Sequence, residues 1–121
     1  MERNIITRET GCITVTGSNI WMTVDEIADL FNVCGAQVSR AIRKLIKQGM
    51  FDEYAIDKSI PVEGHPKCTM PIYGIDVVIA LAFQWENVFT HLFREWLAKK
   101  ATAIDKKEKI VLIHYENGGV N

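Results

Sequence analysis

Gln37, Ser39, Arg40, Arg43, Lys44 and Lys47 fall within a single twelve-residue stretch, and the segment from 36 to 48 holds four basic residues and no acid. These side chains can do one kind of chemistry well, which is to donate hydrogen bonds to nucleic acid. Glutamine can pair with an adenine edge and arginine with a guanine edge, each through two hydrogen bonds. Gln37 and Arg40 lie nearest the start of the stretch and suit base edges. Arg43, Lys44 and Lys47 lie further along and suit phosphates. Neutralising about 3–5 phosphates per subunit would make binding steeply salt-dependent.

To present these groups together the stretch must be a helix. Stepping about 100° per residue from Val38, Val38, Ala41, Ile42, Leu45 and Ile46 fill one sector. Ala36, Arg40, Arg43, Lys44 and Lys47 fill the opposite one, with Gln37 at its margin, and Gly49 is a natural stop. The spacing predicts a recognition helix over 36–47. Ahead of it, Thr23 and Glu26 form a capping-box pattern. A two-turn helix follows, with Val24, Ile27, Ala28 and Phe31 on one face. Asn32 can take the left-handed conformation a tight turn needs, Ala28 permits close approach of two helices, and Val33 and Val38 can plug the space between them. The layout is that of a helix-turn-helix, whose second helix lies in the major groove. At Cys34-Gly35 no Ser, Thr or Asp caps the second helix. We expect Gly35 to serve there, and Cys34 to be a buried or half-buried turn residue at a cost of about 1 kcal/mol.

The flanking elements complete an α+β expectation. NIIT and CITVT read as strands around a turn at Arg8-Glu9-Thr10-Gly11, giving an N-terminal β-hairpin. AIDKSIPV and KCTMPIY read as two extended runs separated by Glu63-Gly64-His65-Pro66, a wing made irregular by its prolines. His65 and Lys67 are its candidate DNA contacts. Asp76 can cap an apolar helix through VVIALAF. A helix over about 87–102 sets Val88, Phe89, Leu92, Phe93, Trp96 and Leu97 at three- and four-residue spacing, as core or as the seam of a homodimer. The expected architecture is a winged helix-turn-helix with an N-terminal β-hairpin and two C-terminal packing helices over 1–104, then a charged and apolar tail at 105–121, read as an added strand or a segment ordered by a neighbour.

Composition bounds the alternatives. At 121 residues the chain can bury roughly two-thirds of its unfolded surface as one domain, without a disulfide or a metal. The net charge of −1 places any nucleic-acid contact on a local patch rather than the whole surface. Three widely spaced cysteines, no CxxC and no signal-peptide-like N-terminus make a reduced cytoplasmic compartment the expectation. No apolar run approaches the roughly 20 residues that cross a bilayer. His65 and Cys68 are a single pair of metal-ligand types where structural zinc needs four ligands, so no metal is expected. Cys34 near a helix start has no histidine close in sequence to form a catalytic pair. Without a Walker loop, GxGxxG or paired carboxylates, neither an enzyme nor a cofactor is expected.

WMTVDEIADLFNV followed by VSRAIRKLIKQGMFDE resembles the opening of the virulence-associated RhuM family, where W-L-T-x-x-x-[IM]-A-x-L-F leads into I-S-x-H-I-x-x-[IL]. IYGIDVVIALAF…LFREWLAKK is similar to that family's Y-N-L-D…F-R-x-W-A region, through Tyr73, Asp76, Phe93, Arg94 and Trp96. The resemblance covers roughly residues 13–100. It implies a DNA-binding protein of bacteria and their mobile elements, with no catalytic residues. The family's G-Y-R-V-N-S-K-R segment reads Ala82 to Phe89 here, without its three basic positions. The expectation is a regulator of transcription that binds double-stranded DNA, as a homodimer on two half-sites. The alternative is a protein-interaction module that docks through the aromatic C-terminal helices.

Overall fold

Positive φ angles at both Thr10 and Gly11, 49° and 78°, turn the chain back on itself between β1 (Ile6–Glu9) and β2 (Cys12–Val15). Both central residues at positive φ is the type I′ arrangement, whose twist matches that of the flanking strands. The computed structural model describes residues 3–53, 56 and 58–102; the tail expected at 105–121 lies outside them. Over the described residues the fold is mixed α+β, with four helices and two antiparallel sheets.

The second sheet has the order β3-β5-β4, from β3 (Trp21–Thr23), β4 (Lys58–Val62) and β5 (His65–Gly74). Its hairpin turn is tighter than the sequence suggests. Only Glu63 and Gly64 form it, with Gly64 at φ 79°, and His65-Pro66 already belongs to β5. The prolines leave the expected mark, a register shift between Pro61 and Val62 in the edge strand. Pro71 is tolerated in the central strand because β3 pairs only with Ile72–Gly74.

Helix α1 (Val24–Phe31) starts as the sequence indicates. The Thr23 hydroxyl accepts from Glu26 N–H at 3.2 Å, and the Glu26 carboxylate accepts from Thr23 N–H at 2.8 Å. Asn32 closes it at φ 54°, ψ 49°. Helix α2 (Gly35–Lys47) begins one residue earlier than expected, with Cys34 as N-cap and Gly35 as its first residue. Gly35 makes the close approach to α1, where an added Cβ would meet Val24 Cγ1 at 3.5 Å. Cys34, one residue before, stays on the outside of the turn and is exposed rather than buried. Past α2, Gly49 at φ 80° supports hydrogen bonds from Gly49 N–H to Ile46 O and from Met50 N–H to Leu45 O.

Helix α3 (Ile75–Leu81) is capped by Gly74, not by Asp76, whose carboxylate instead accepts from Val77 N–H inside the first turn. Helix α4 (Val88–Thr102) follows. The core gathers Met22, Ile27, Phe31, Val38, Leu45, Val77, Val78, Leu81 and Phe93, all 1% exposed or less. Phe31 meets Phe93 edge-on at 5.3 Å between ring centroids. The apolar stripe expected on α4 is narrower than its spacing implies. Phe93 is buried, Phe89, Leu92, Trp96 and Leu97 are half-buried, and Val88 is 69% exposed.

Candidate nucleic-acid interface

The C-terminal end of α1 fixes where α2 can start. Helix α1 has no basic residue in its last turn, so its terminal carbonyls need donors from elsewhere. Arg8 of β1 supplies them, from Nε to Leu30 O at 2.8 Å and from Nη2 to Asp29 O at 2.9 Å, with its guanidinium 4.0 Å from the Phe89 ring centroid. Asn87, at the start of α4, donates from Nδ2 to Phe31 O at 3.1 Å. Its Oδ1 accepts from Phe89 and Thr90 N–H, both at 2.8 Å, which caps α4. Three successive α1 carbonyls are thus held by side chains from the hairpin and from α4, next to the turn that aims α2.

On α2 the apolar sector is buried as its spacing predicts, through Val38, Ala41, Ile42 and Leu45. Arg40, Arg43, Lys44 and Lys47 are all exposed. None has a carboxylate partner among the described residues; the ion pairs join Arg3 to Glu26, Arg94 to Glu86 and His91 to Glu95. The four cations therefore form a stripe without an ion-pair partner among the described residues, where the field of one reinforces the next, and the nearest acid sharing a groove with them is Glu53, beside Arg43. Among the described residues Arg40 has only a long intrahelical bond, from Nε to Ala36 O at 3.4 Å.

Gln37 stands differently from its neighbours. Its Oε1 accepts from Cys34 N–H at 2.9 Å, so its amide oxygen serves the helix start. A two-point pairing with adenine needs that oxygen as well as the nitrogen, which leaves Gln37 the amide N–H groups alone as free contacts. Ser39 is half-buried and lines a groove of about 300 Å³ with Ile42, Arg43, Pro71 and Tyr73, on the side of α2 facing β5. His65 and Lys67 are exposed at the start of β5, and no hydrogen bond or ion pair ties them to α2 among the described residues.

Two residues beside α2 escaped sequence reasoning. Gln84 and Trp85, in the α3–α4 connection, line a second groove of about 280 Å³ with Gln37, Arg40, Ala41 and Lys44. Nothing local in the sequence joins positions 40 or more residues apart; the packing of α3 on α2 does. Arg94 holds this connection in place. Its guanidinium donates to Ala82 O at 2.9 Å, Trp85 O at 2.6 Å and the Glu86 carboxylate at 2.9 Å. Its partner is Glu86, while the adjacent Glu95 pairs with His91 at 3.1 Å.

No group of three His, Cys, Asp or Glu side chains suited to a metal occurs among the described residues. Cys12, Cys34 and Cys68 are exposed free thiols. No helix among the described residues is long and apolar enough to cross a membrane. Comparison with protein-family models, with curated proteins and with solved structures found no match.

Proposed function

We propose that the protein is a winged helix-turn-helix DNA-binding protein that regulates transcription, with α1 and α2 as the helix pair and the β4–β5 hairpin as the wing. The observation that carries this reading is the stripe of Arg40, Arg43, Lys44 and Lys47, exposed and without ion-pair partners among the described residues. A helix with one buried apolar face and one unpaired cationic face suits the major groove, where phosphates flank the base edges. Ser39 then carries a base contact, Arg40 divides its five N–H groups between a base edge and a phosphate, Gln37 contributes through its amide nitrogen, and Arg43, Lys44 and Lys47 hold phosphates. His65 and Lys67 reach the backbone from the wing. The resemblance to RhuM-type proteins supports the same reading.

One such helix binds weakly, so the functional unit is a homodimer on two half-sites, joined through the C-terminal helices where Val88 is exposed. Gel-shift titration at two salt concentrations tests the reading. Wild type should shift genomic fragments, more weakly at the higher salt, and Arg40→Ala/Lys44→Ala should bind at least tenfold more weakly. No shift by wild type, or equal binding by the variant, would overturn it. Exposed Phe83, at 58%, and Val88 favour a second reading, a protein-docking module. A pull-down recovering a partner insensitive to Arg40→Ala/Lys44→Ala would select it.

A further inference from the structure

The groove between α2 and the α3–α4 connection has the chemistry of an anion site. Gln37, Arg40, Ala41 and Lys44 wall one side, Gln84 and Trp85 the other, and no carboxylate lines it. Its lining side chains are rich in donors: a guanidinium, an ammonium, two carboxamides and an indole. Neither the Gln84 carboxamide nor the Trp85 N–H has a hydrogen-bond partner among the described residues. No fully buried side-chain nitrogen or oxygen among the described residues is left unsatisfied, and both residues are half-buried. A tryptophan N–H normally finds a partner when buried, and here, among the described residues, it has none and stands beside two cations without an ion-pair partner.

The backbone of the far wall and the Trp85 ring are held in position. The Trp85 ring packs 6.1 Å from the Phe31 ring, and its carbonyl accepts from Arg94 at 2.6 Å and from the Thr90 hydroxyl at 2.9 Å. Gln84 N–H is fixed to Leu81 O at 3.0 Å. Ala41, small and buried, leaves the groove its depth between Arg40 and Lys44.

We propose that this groove seats a phosphodiester of the DNA backbone, with Arg40 and Lys44 supplying the charge and Gln84 and Trp85 supplying neutral donors from the opposite wall. The inference rests on the DNA-binding reading and extends it. A phosphate presents only acceptors, which matches a donor lining, whereas a base edge mixes donors and acceptors. Contacts of this type set register and orientation and carry no sequence information. The α3–α4 connection then acts as a second jaw that grips one strand while α2 lies against the bases.

Fluorescence anisotropy of the full chain with labelled duplexes of several sequences tests the groove. Gln84→Glu places a carboxylate there and leaves α2 unchanged; affinity should fall roughly tenfold, equally for every sequence. Gln84→Lys should tighten binding by a similar factor and steepen the dependence of log affinity on log salt by about 1, a gain that misfolding cannot produce. Gln84→Glu binding within twofold of wild type, while Arg43→Ala/Lys47→Ala loses affinity, would overturn the groove and leave the α2 reading standing. A loss that differs between sequences would overturn the backbone assignment. Absence of binding by wild type would overturn both.

Discussion

The side-chain oxygen of Gln37 lies 2.9 Å from the backbone nitrogen of Cys34 and completes the start of α2. A residue that looks like a base reader is thereby a helix cap as well, because the N-cap position itself holds a cysteine. Replacing Gln37 with Ala should cost about 0.5–1.5 kcal/mol by urea denaturation. Cys34→Ser should hold or raise stability, by up to about 1 kcal/mol, and leave DNA affinity intact, since the thiol is exposed and no contact to DNA is assigned to it. A large loss of affinity in Cys34→Ser would contradict this account of the turn.

The clamp on the α1 carbonyls gives a second prediction. Arg8→Ala removes two charged hydrogen bonds and the stacking on Phe89, so it should destabilise by about 1–3 kcal/mol. Asn87→Asp keeps an acceptor for Phe89 and Thr90 N–H but removes the donor to Phe31 O. It should be less harmful than Asn87→Ala, which removes both. Thermal melts of the three variants check the order.

Much of this arrangement was legible in the sequence, and the division has physical reasons. The Thr23–Glu26 box, the left-handed Asn32, the stop at Gly49 and the two faces of α2 are all set by residues within a few positions of one another. The partners of Arg8, Asn87 and Arg94 are decided by packing between distant elements, and no local pattern shows them. The same holds for Gln84 and Trp85 beside α2. Asp76 misled because Asp is a good cap, yet Gly74 already occupies the cap position at the end of β5. The narrow stripe on α4 has a similar origin: spacing shows which residues share a face, not how much of that face a neighbour covers.

Glu26 makes stability sensitive to acid. Partial burial pushes its carboxyl upward, but the Arg3 hydrogen bond, the Thr23 backbone N–H and the Arg3 charge outweigh that and hold it below the ordinary value of 4.5. A carboxyl lowered on folding stabilises fully above its unfolded value, and that contribution is lost as pH falls through the lowered folded value. Wild type should therefore be more stable than Glu26→Gln at pH 7, with the gap closing below pH 4.5. Chemical denaturation at pH 7, 5 and 3 checks it, and a gap that stays constant would contradict it.

Arg94 braces the connection that faces α2. Arg94→Ala leaves the Ala82 and Trp85 carbonyls without this donor and should cost about 2–3 kcal/mol. Arg94→Lys should recover only part of that, because an ammonium cannot reproduce the guanidinium's planar fork. Urea denaturation of both variants against wild type measures the difference.

The central claim is that the α2 cations neutralise DNA phosphates, and the salt dependence of affinity reports this most directly. Arg40→Gln/Arg43→Gln/Lys44→Gln/Lys47→Gln keeps side chains with good helix propensity while removing all four charges. Wild-type log affinity should fall steeply with log salt. The variant's slope should be shallower by about 3–4, at roughly 0.9 for each phosphate no longer neutralised, with unchanged circular dichroism. A variant that keeps the wild-type slope and affinity, or a wild type that does not bind duplex DNA at low salt, would contradict the claim.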